Sequence, residues 1–197
     1  MPGYDHLYGS TQTSGSTGTS SGAVGGYTPP PPTTTTTTGS TNNNQVSPGH
    51  PGGGYDPEKR VTTISWIPFK DMPEMYRDIE ATMLKANNNH FGFEGMRITE
   101  PGQFTHYPTG GFYEWHMDND IAGKHQPPVR KISMTLLLSD PSTFEGGELE
   151  FMQKGKTAKL KQGQAIFFAS WLQHRVKPVT RGSRKSLVMW FGGPPFK

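Results

Sequence analysis

The sequence contains no cysteine, which excludes disulfides and thiolate metal sites alike. It opens without a basic and then apolar leader, and no apolar run approaches the ~18–20 residues that a membrane-spanning helix needs. These absences lead to the expectation of a cytoplasmic protein with no membrane segment. Charge is missing from one part of the chain: between Met1 and Gly54 only Asp5 carries it. That stretch is Gly, Ser, Thr, Pro and Asn, with homopolymer runs at Pro29 to Pro32 and Thr33 to Thr38. Such a composition buries too little apolar surface to offset its ordering entropy. Residues 1–56 are therefore expected to be a disordered tail, with the proline run a plain linker. Residues 57–197 have ordinary globular composition, and about 140 residues suffice for one core.

The formal net charge is only +3, but most Lys and Arg follow Gly123, including Lys156, Lys159, Lys161, Arg181 and Lys185. A solvated basic face is one reading; a field for an acidic small molecule or polymer is the other. Basic charge of this size does not call for a nucleic-acid partner.

Val61–Trp66 reads as a short strand. Asp71, with Glu74 three residues on, suggests a capping box. Met72, Met75, Tyr76, Ile79 and Met83 then recur at helical spacing as a core-facing stripe. Beyond Phe91 the period shortens. Strands are expected at Met96–Thr99, Gln103–Tyr107, Phe112–His116, Lys131–Leu138, Glu148–Met152, Gln164–Phe168, His174–Val179 and Lys185–Phe191, separated by Gly- and Pro-bearing turns. The fold expected is mainly β: a double-stranded β-helix (jelly roll) of about eight strands, supported by at least one N-terminal α-helix. An immunoglobulin-like sandwich is the competitor, although no part of its pattern is present.

The chemistry concentrates in Gly111-Phe-Tyr-Glu-Trp-His116-Met-Asp118. Residues two apart on a strand share a face, so His116 and Asp118 can offer an imidazole and a carboxylate side by side. Two histidines and one carboxylate with open positions define the ligand set of non-haem Fe(II) oxygenases. A third ligand must come from elsewhere. His6 and His50 lie in the low-complexity part, His90 at a helix end, His125 in a loop and His106 before a turn. His174, opening a strand after an apolar run, is the candidate. His-x-Asp is weak by itself, and a lone histidine such as His174 is more often a hydrogen-bonded structural residue. Arg184 and Ser186 add to the case. A hairpin about Val179 to Ser183 would set His174 opposite Met189, with Arg184 on the order of 16 Å along the strand. A five-carbon dicarboxylate could span from metal to guanidinium, gripped by Arg184 and Ser186 on one strand face. Asp120 reads as a loop acid or a further ligand. Tyr113, Trp115 and Trp171 either frame a pocket or pack in the core. Glu145-Gly146-Gly147 reads as turn geometry.

Tyr107-x-x-Gly110-Gly111-x-Tyr113-x-x-His116-x-Asp118 is followed by Leu136-Leu137-Leu138-Ser139 and Glu145-Gly146-Gly147-Glu148-Leu149. Gly163-x-Ala165-x-Phe167-Phe168, His174-x-Val176-x-Pro178-Val179, and Arg184-x-Ser186 with Trp190 complete the series. In this order, from about Val61 to Phe196, the chain resembles the 2-oxoglutarate/Fe(II) dioxygenase superfamily. Its prolyl-4-hydroxylase-like branch, and within it the bacterial and phage PKHD-type hydroxylases, is the most similar. The resemblance implies iron on His116, Asp118 and His174, and 2-oxoglutarate on Arg184 and Ser186. It also implies a hydrogen bond from Tyr107 to the co-substrate, Trp190 lining the pocket, and ascorbate as reductant. The implied reaction is hydroxylation of a peptidyl or amino-acid side chain, proline first, with succinate and carbon dioxide as co-products. Collagen-type prolyl hydroxylases carry lysine in place of Arg184, and the family usually has further structure before the first strand. The arginine cluster of AlkB-type nucleic-acid demethylases is absent around Arg184, so nucleic acid is not an expected partner. A non-catalytic jelly-roll interaction module and a cupin-like metalloprotein with another activity remain as alternatives.

Overall fold

The computed structural model describes residues 8–11, 57–119, 127–153 and 156–196. Asp120, His125, the proline run and the rest of the expected tail lie outside them. In chain order the elements are β1 (Tyr8–Thr11), β2 (Arg60–Val61), β3 (Thr63–Ile67), α1 (Pro73–Ala86), β4 (Arg97–Ile98), β5 (Gly102–Tyr107), β6 (Phe112–His116) and β7 (Val129–Leu137). They continue as β8 (Glu145–Gly146), β9 (Leu149–Phe151), β10 (Lys156–Ala158), β11 (Ala165–Ala169), β12 (His174–Val176), β13 (Val179–Arg181) and β14 (Arg184–Gly193).

A major sheet runs β1-β11-β7-β14-β5-β3, with β4 also on β14, and a minor sheet runs β10-β9-β12-β6-β2. Strands β8 and β13 form a separate pair, and every pairing is antiparallel. Two cores follow from strand alternation. On β14, Leu187, Met189 and Phe191 join Ile132, Met134 and Phe167 beneath Tyr76, Met83 and Ala86 of α1. On the opposite face, Tyr107, Ile166 and Phe168 of the major sheet meet Leu149, Phe151 and Val176 of the minor sheet. The result is the expected jelly roll with a supporting helix.

Several details differ from expectation. Helix α1 has no capping box: Pro73 takes its first turn, the N-cap is Met72, and no side chain caps it. Proline pre-sets the helical φ and needs no partner for an N–H it lacks, so the helix starts after Asp71 and leaves Met72 exposed. The helix runs into a π-turn, Asn87–Phe91, closed by Gly92 at φ 73. Buried Asn87 clamps that exit: its Nδ2 donates to the Phe93 carbonyl at 2.8 Å, and its Oδ1 accepts from the Phe93 N–H at 3.0 Å. The expected Val61–Trp66 strand is two strands, one in each sheet. The Thr62 hydroxyl, 2.7 Å from the His106 carbonyl, fixes the crossover.

The expected His174–Arg184 hairpin does not form. Pro178 ends the pairing after β12, and β13 turns away to pair with β8. Strand β14 lies in the other sheet, between β5 and β7. His174 faces His116 and Phe151 rather than Met189.

Candidate metal centre and anion pocket

The turn at Pro108 to Gly111 launches β6. The Gly111 N–H donates to the Pro108 carbonyl, and the Gly110 N–H to that of Val179, both at 2.7 Å. A Cβ on Gly111 would stand 2.8 Å from the Pro108 oxygen, so the turn needs glycine there. Strand β6 ends at His116, directly opposite His174 in register. Asp118 lies just past the strand end, where its N–H and that of Asn119 both donate to the Ser170 carbonyl, at 2.9 and 3.0 Å. Asn119 Nδ2 donates in turn to the Arg130 carbonyl at 2.6 Å. The aspartate is thus brought beside the histidines by a turn locked to β7 and to the end of β11, not by continued strand alternation.

His116 Nε2 is 3.8 Å from Asp118 Oδ1, and His174 Nε2 is 3.6 Å from Asp118 Oδ2. All three ligand atoms lie within 4.8 Å of one another. Each imidazole is oriented from behind. His116 Nδ1 sits 2.7 Å from the Glu114 carbonyl and His174 Nδ1 2.8 Å from that of Leu172. A carbonyl only accepts, so Nδ1 carries the proton and the Nε2 lone pair is left for a ligand bond. The Tyr113 ring stacks on His116 at 3.6 Å between centroids, and Phe168 meets His174 edge-on at 4.7 Å.

Burial, reinforced by the neighbouring His174, depresses the His116 pKa to about 3 against the pull of Asp118. Burial opposes ionisation of Asp118, but His174, His116 and the Ser133 hydroxyl outweigh it and leave that carboxyl below its usual range. A neutral His116 imidazole beside an ionised Asp118 suits uptake of a divalent cation. The donor set therefore fits a hard-to-borderline metal with open positions.

On the facing sheet, Arg184 is 3% exposed. Its Nη1 donates to Ser186 Oγ at 2.9 Å, Ser186 Oγ lies 2.6 Å from Thr105 Oγ1, and the guanidinium stands 5.5 Å over the Tyr107 ring. Burial lowers the Arg184 pKa. No carboxylate among the described residues pairs with it. An uncompensated buried guanidinium is costly, and an anion would relieve it. Arg184, Ser186 and Trp190 alternate onto one face of β14, and Tyr107 is the register partner of Arg184 on β5.

Of the aromatic residues with two readings, Tyr113 is against the histidines. Trp115 lies under Arg175 at 4.6 Å, and Trp171 packs edge-on with Phe93 and Phe196. Sequence reasoning missed Ser133, Ser170 and Asn119, which hold Asp118, and the Arg130–Glu100 ion pair that covers Trp190 at 4.1 Å. Asn119 follows the His-x-Asp motif directly, the one signal that could have found it; the others have no sequence signature.

Residues 102–192 match the family model of the 2OG-Fe(II) oxygenase superfamily. Over that stretch, 91 of the 197 residues, the chain is similar to proteins of that superfamily. Its curated relatives include a PKHD-type hydroxylase of Teredinibacter turnerae, 39% identical over 131 residues that cover 63% of this chain and 58% of that protein. The chain spans about half the length of the curated relatives it matches. Among solved structures, a viral collagen prolyl hydroxylase from Paramecium bursaria Chlorella virus-1, in complex with 2OG, shares the fold at TM-score 0.59. It is 22% identical, and the match covers 69% of this chain and 81% of that one. A Pseudomonas putida prolyl-4-hydroxylase aligns at TM-score 0.54 and 25% identity, covering 70% of this chain and 74% of its own.

Proposed function

We propose that this chain is an Fe(II)- and 2-oxoglutarate-dependent oxygenase that hydroxylates a peptidyl or amino-acid side chain, with proline the first residue to test. One observation carries the reading. Two Nε2 atoms and a carboxylate converge on one point, while the opposing sheet offers a buried guanidinium with no carboxylate partner among the described residues. His116, Asp118 and His174 would hold the iron. Arg184 and Ser186 would take the distal carboxylate of 2-oxoglutarate, Tyr107 would contact the co-substrate, and Trp190 would line the pocket. Iron held there would supply the dioxygen chemistry, one oxygen going to the succinate formed from 2-oxoglutarate with loss of carbon dioxide and the other to the substrate as hydroxyl, and ascorbate would serve as reductant.

The protein's own part is orientation and exclusion. The Glu114 and Leu172 carbonyls hold both imidazoles in the ligating tautomer. The Ser186–Thr105 hydroxyl pair steers the Arg184 fork. The Phe168 and Phe151 rings pack around His174 and keep water from that side. The similarity to PKHD-type and prolyl-4-hydroxylase proteins supports a peptidyl or amino-acid substrate.

Purified protein given Fe(II), ascorbate and 2-oxoglutarate is expected to release succinate, and His116→Ala to abolish that release. Equal background from both would defeat the enzyme reading and leave a non-catalytic jelly-roll module. Iron uptake with affinity for 2-oxoglutarate unchanged in Arg184→Ala would point instead to a cupin-like metalloprotein. Mass spectrometry of cell peptides for one added oxygen identifies the substrate.

A further inference from the structure

Beside the candidate metal centre, four buried nitrogens find no hydrogen-bond partner among the described residues: Arg60 Nε, Trp66 Nε1, Gln103 Nε2 and Trp190 Nε1. All four are N–H donors. An unsatisfied buried polar group calls for a specific explanation, and here four of one kind occur together.

Their placement follows from register. Trp66 on β3 is the partner of Gln103 on β5. Gln103 shares its strand face with Thr105 and Tyr107, and its partner on β14 is Val188, two residues from Trp190. The Trp66 and Trp190 rings are 6.1 Å apart. Arg60 reaches across from the minor sheet, where its Nη2 donates to Gln103 Oε1 at 3.0 Å and its guanidinium lies 4.5 Å over the Tyr113 ring. Tyr113 in turn stacks on His116. The cluster is thus one aromatic ring from a proposed iron ligand, with Gln103 2% and Trp190 4% exposed. Gln103 also lies four residues along β5 from Tyr107, roughly 13 Å, so a small dicarboxylate held at Arg184 does not also fill this cluster.

We propose that Arg60, Gln103, Trp66 and Trp190 form an acceptor-binding subsite for the primary substrate, receiving a carboxylate or amide carbonyl oxygen next to the carbon to be hydroxylated. The incoming oxygen replaces Gln103 Oε1 as the acceptor for Arg60, frees the amide to donate as well, and meets the two indole N–H groups. A positive guanidinium surrounded by donors selects against substrates that bring only donors or a cation to this position. The inference rests on the oxygenase reading, since it assigns the oxygen to that enzyme's substrate.

The test uses the full chain, 15N-labelled, with redox-inert Zn(II) and saturating 2-oxoglutarate, and follows the indole N–H signals assigned with Trp66→Phe and Trp190→Phe. Sodium acetate and acetamide are the probes, titrated against sodium chloride at matched ionic strength. The Trp66 and Trp190 signals are expected to move downfield saturably with at least one probe, while those of Trp115 and Trp171 stay put. Preference for acetate indicates a free carboxylate, and preference for acetamide a peptide carbonyl. Arg60→Met is expected to weaken the response about tenfold. Gln103→Glu, which supplies an internal carboxylate to Arg60, is expected to abolish the response and raise the Tm. Indole signals that do not saturate, or a response that survives Gln103→Glu unchanged, would overturn the subsite. Failure of the oxygenase reading registers separately, as absent succinate release by the wild-type protein with Fe(II).

Discussion

Gly147 shows how much a single position can carry. It adopts φ +67, and a Cβ there would stand 2.9 Å from Val179 Cγ2 and 3.0 Å from Arg184 Cδ. The glycine both accepts the left-handed backbone and leaves room for the arginine stem. Gly147→Ala is expected to lose ~1–3 kcal/mol of stability from backbone strain. By displacing the guanidinium it is also expected to raise the KM for 2-oxoglutarate about tenfold with kcat little changed. Steady-state kinetics on the variant check both parameters, and an unchanged KM would separate Gly147 from Arg184. At this scale the sequence was legible where chemistry restricts residue type. His116, Asp118 and His174 could be singled out as candidates because few side chains offer metal-ligand atoms, and the structure brings those atoms within 4.8 Å of one another. Arg60 and Gln103 could not, because their meeting depends on two strands 43 residues apart, and neither residue type is unusual on a strand.

At the scale of elements, alternation was readable and partnership was not. The period-two pattern of β14 correctly separates Arg184 and Ser186 from Leu187 and Met189, because a strand has only two faces. It does not say which strand lies alongside. That is why a local hairpin was expected where the chain changes sheets at Pro178, and why the His174-to-Arg184 spacing turns out to bridge two sheets. The helix is tied to the sheet by Tyr76, whose hydroxyl donates to the Ile67 carbonyl and accepts from the Gly102 N–H at 2.8 Å. One oxygen thus holds α1 against the ends of both β3 and β5. Tyr76→Phe leaves both backbone groups without it, at a cost of about 1–3 kcal/mol. Urea unfolding is expected to show that loss, with zinc affinity unaltered because the candidate metal centre lies on the other side of the major sheet.

For the whole molecule, the jelly roll was legible from the count and spacing of strand-like runs. The two-residue β4 falls within the expected Met96–Thr99 strand, whereas β8 was read as a turn, since two residues carry no period. The architecture divides labour between its sheets: the minor one supplies both histidines, the major one the arginine, and α1 covers the back of the latter. One edge of the major sheet is held in an unexpected way. Strand β1 pairs with β11 from Tyr8↔Phe168 to Thr11↔Ala165, so four residues from a low-complexity stretch serve as the outermost strand. Beneath it runs Ala165-Ile-Phe-Phe-Ala169, wholly apolar and buried. An uncovered edge of that composition is a template for pairing with another chain. Removing residues 1–56 is therefore expected to turn a dispersed protein into one that self-associates with rising concentration, as read by light scattering. Monodisperse behaviour of the shortened chain would show that β1 is dispensable. If the strand does shield the edge, trimming the repetitive leader to obtain crystals would remove the segment that keeps neighbouring molecules apart, and a residue such as Lys at the rim of β11 would be needed in its place.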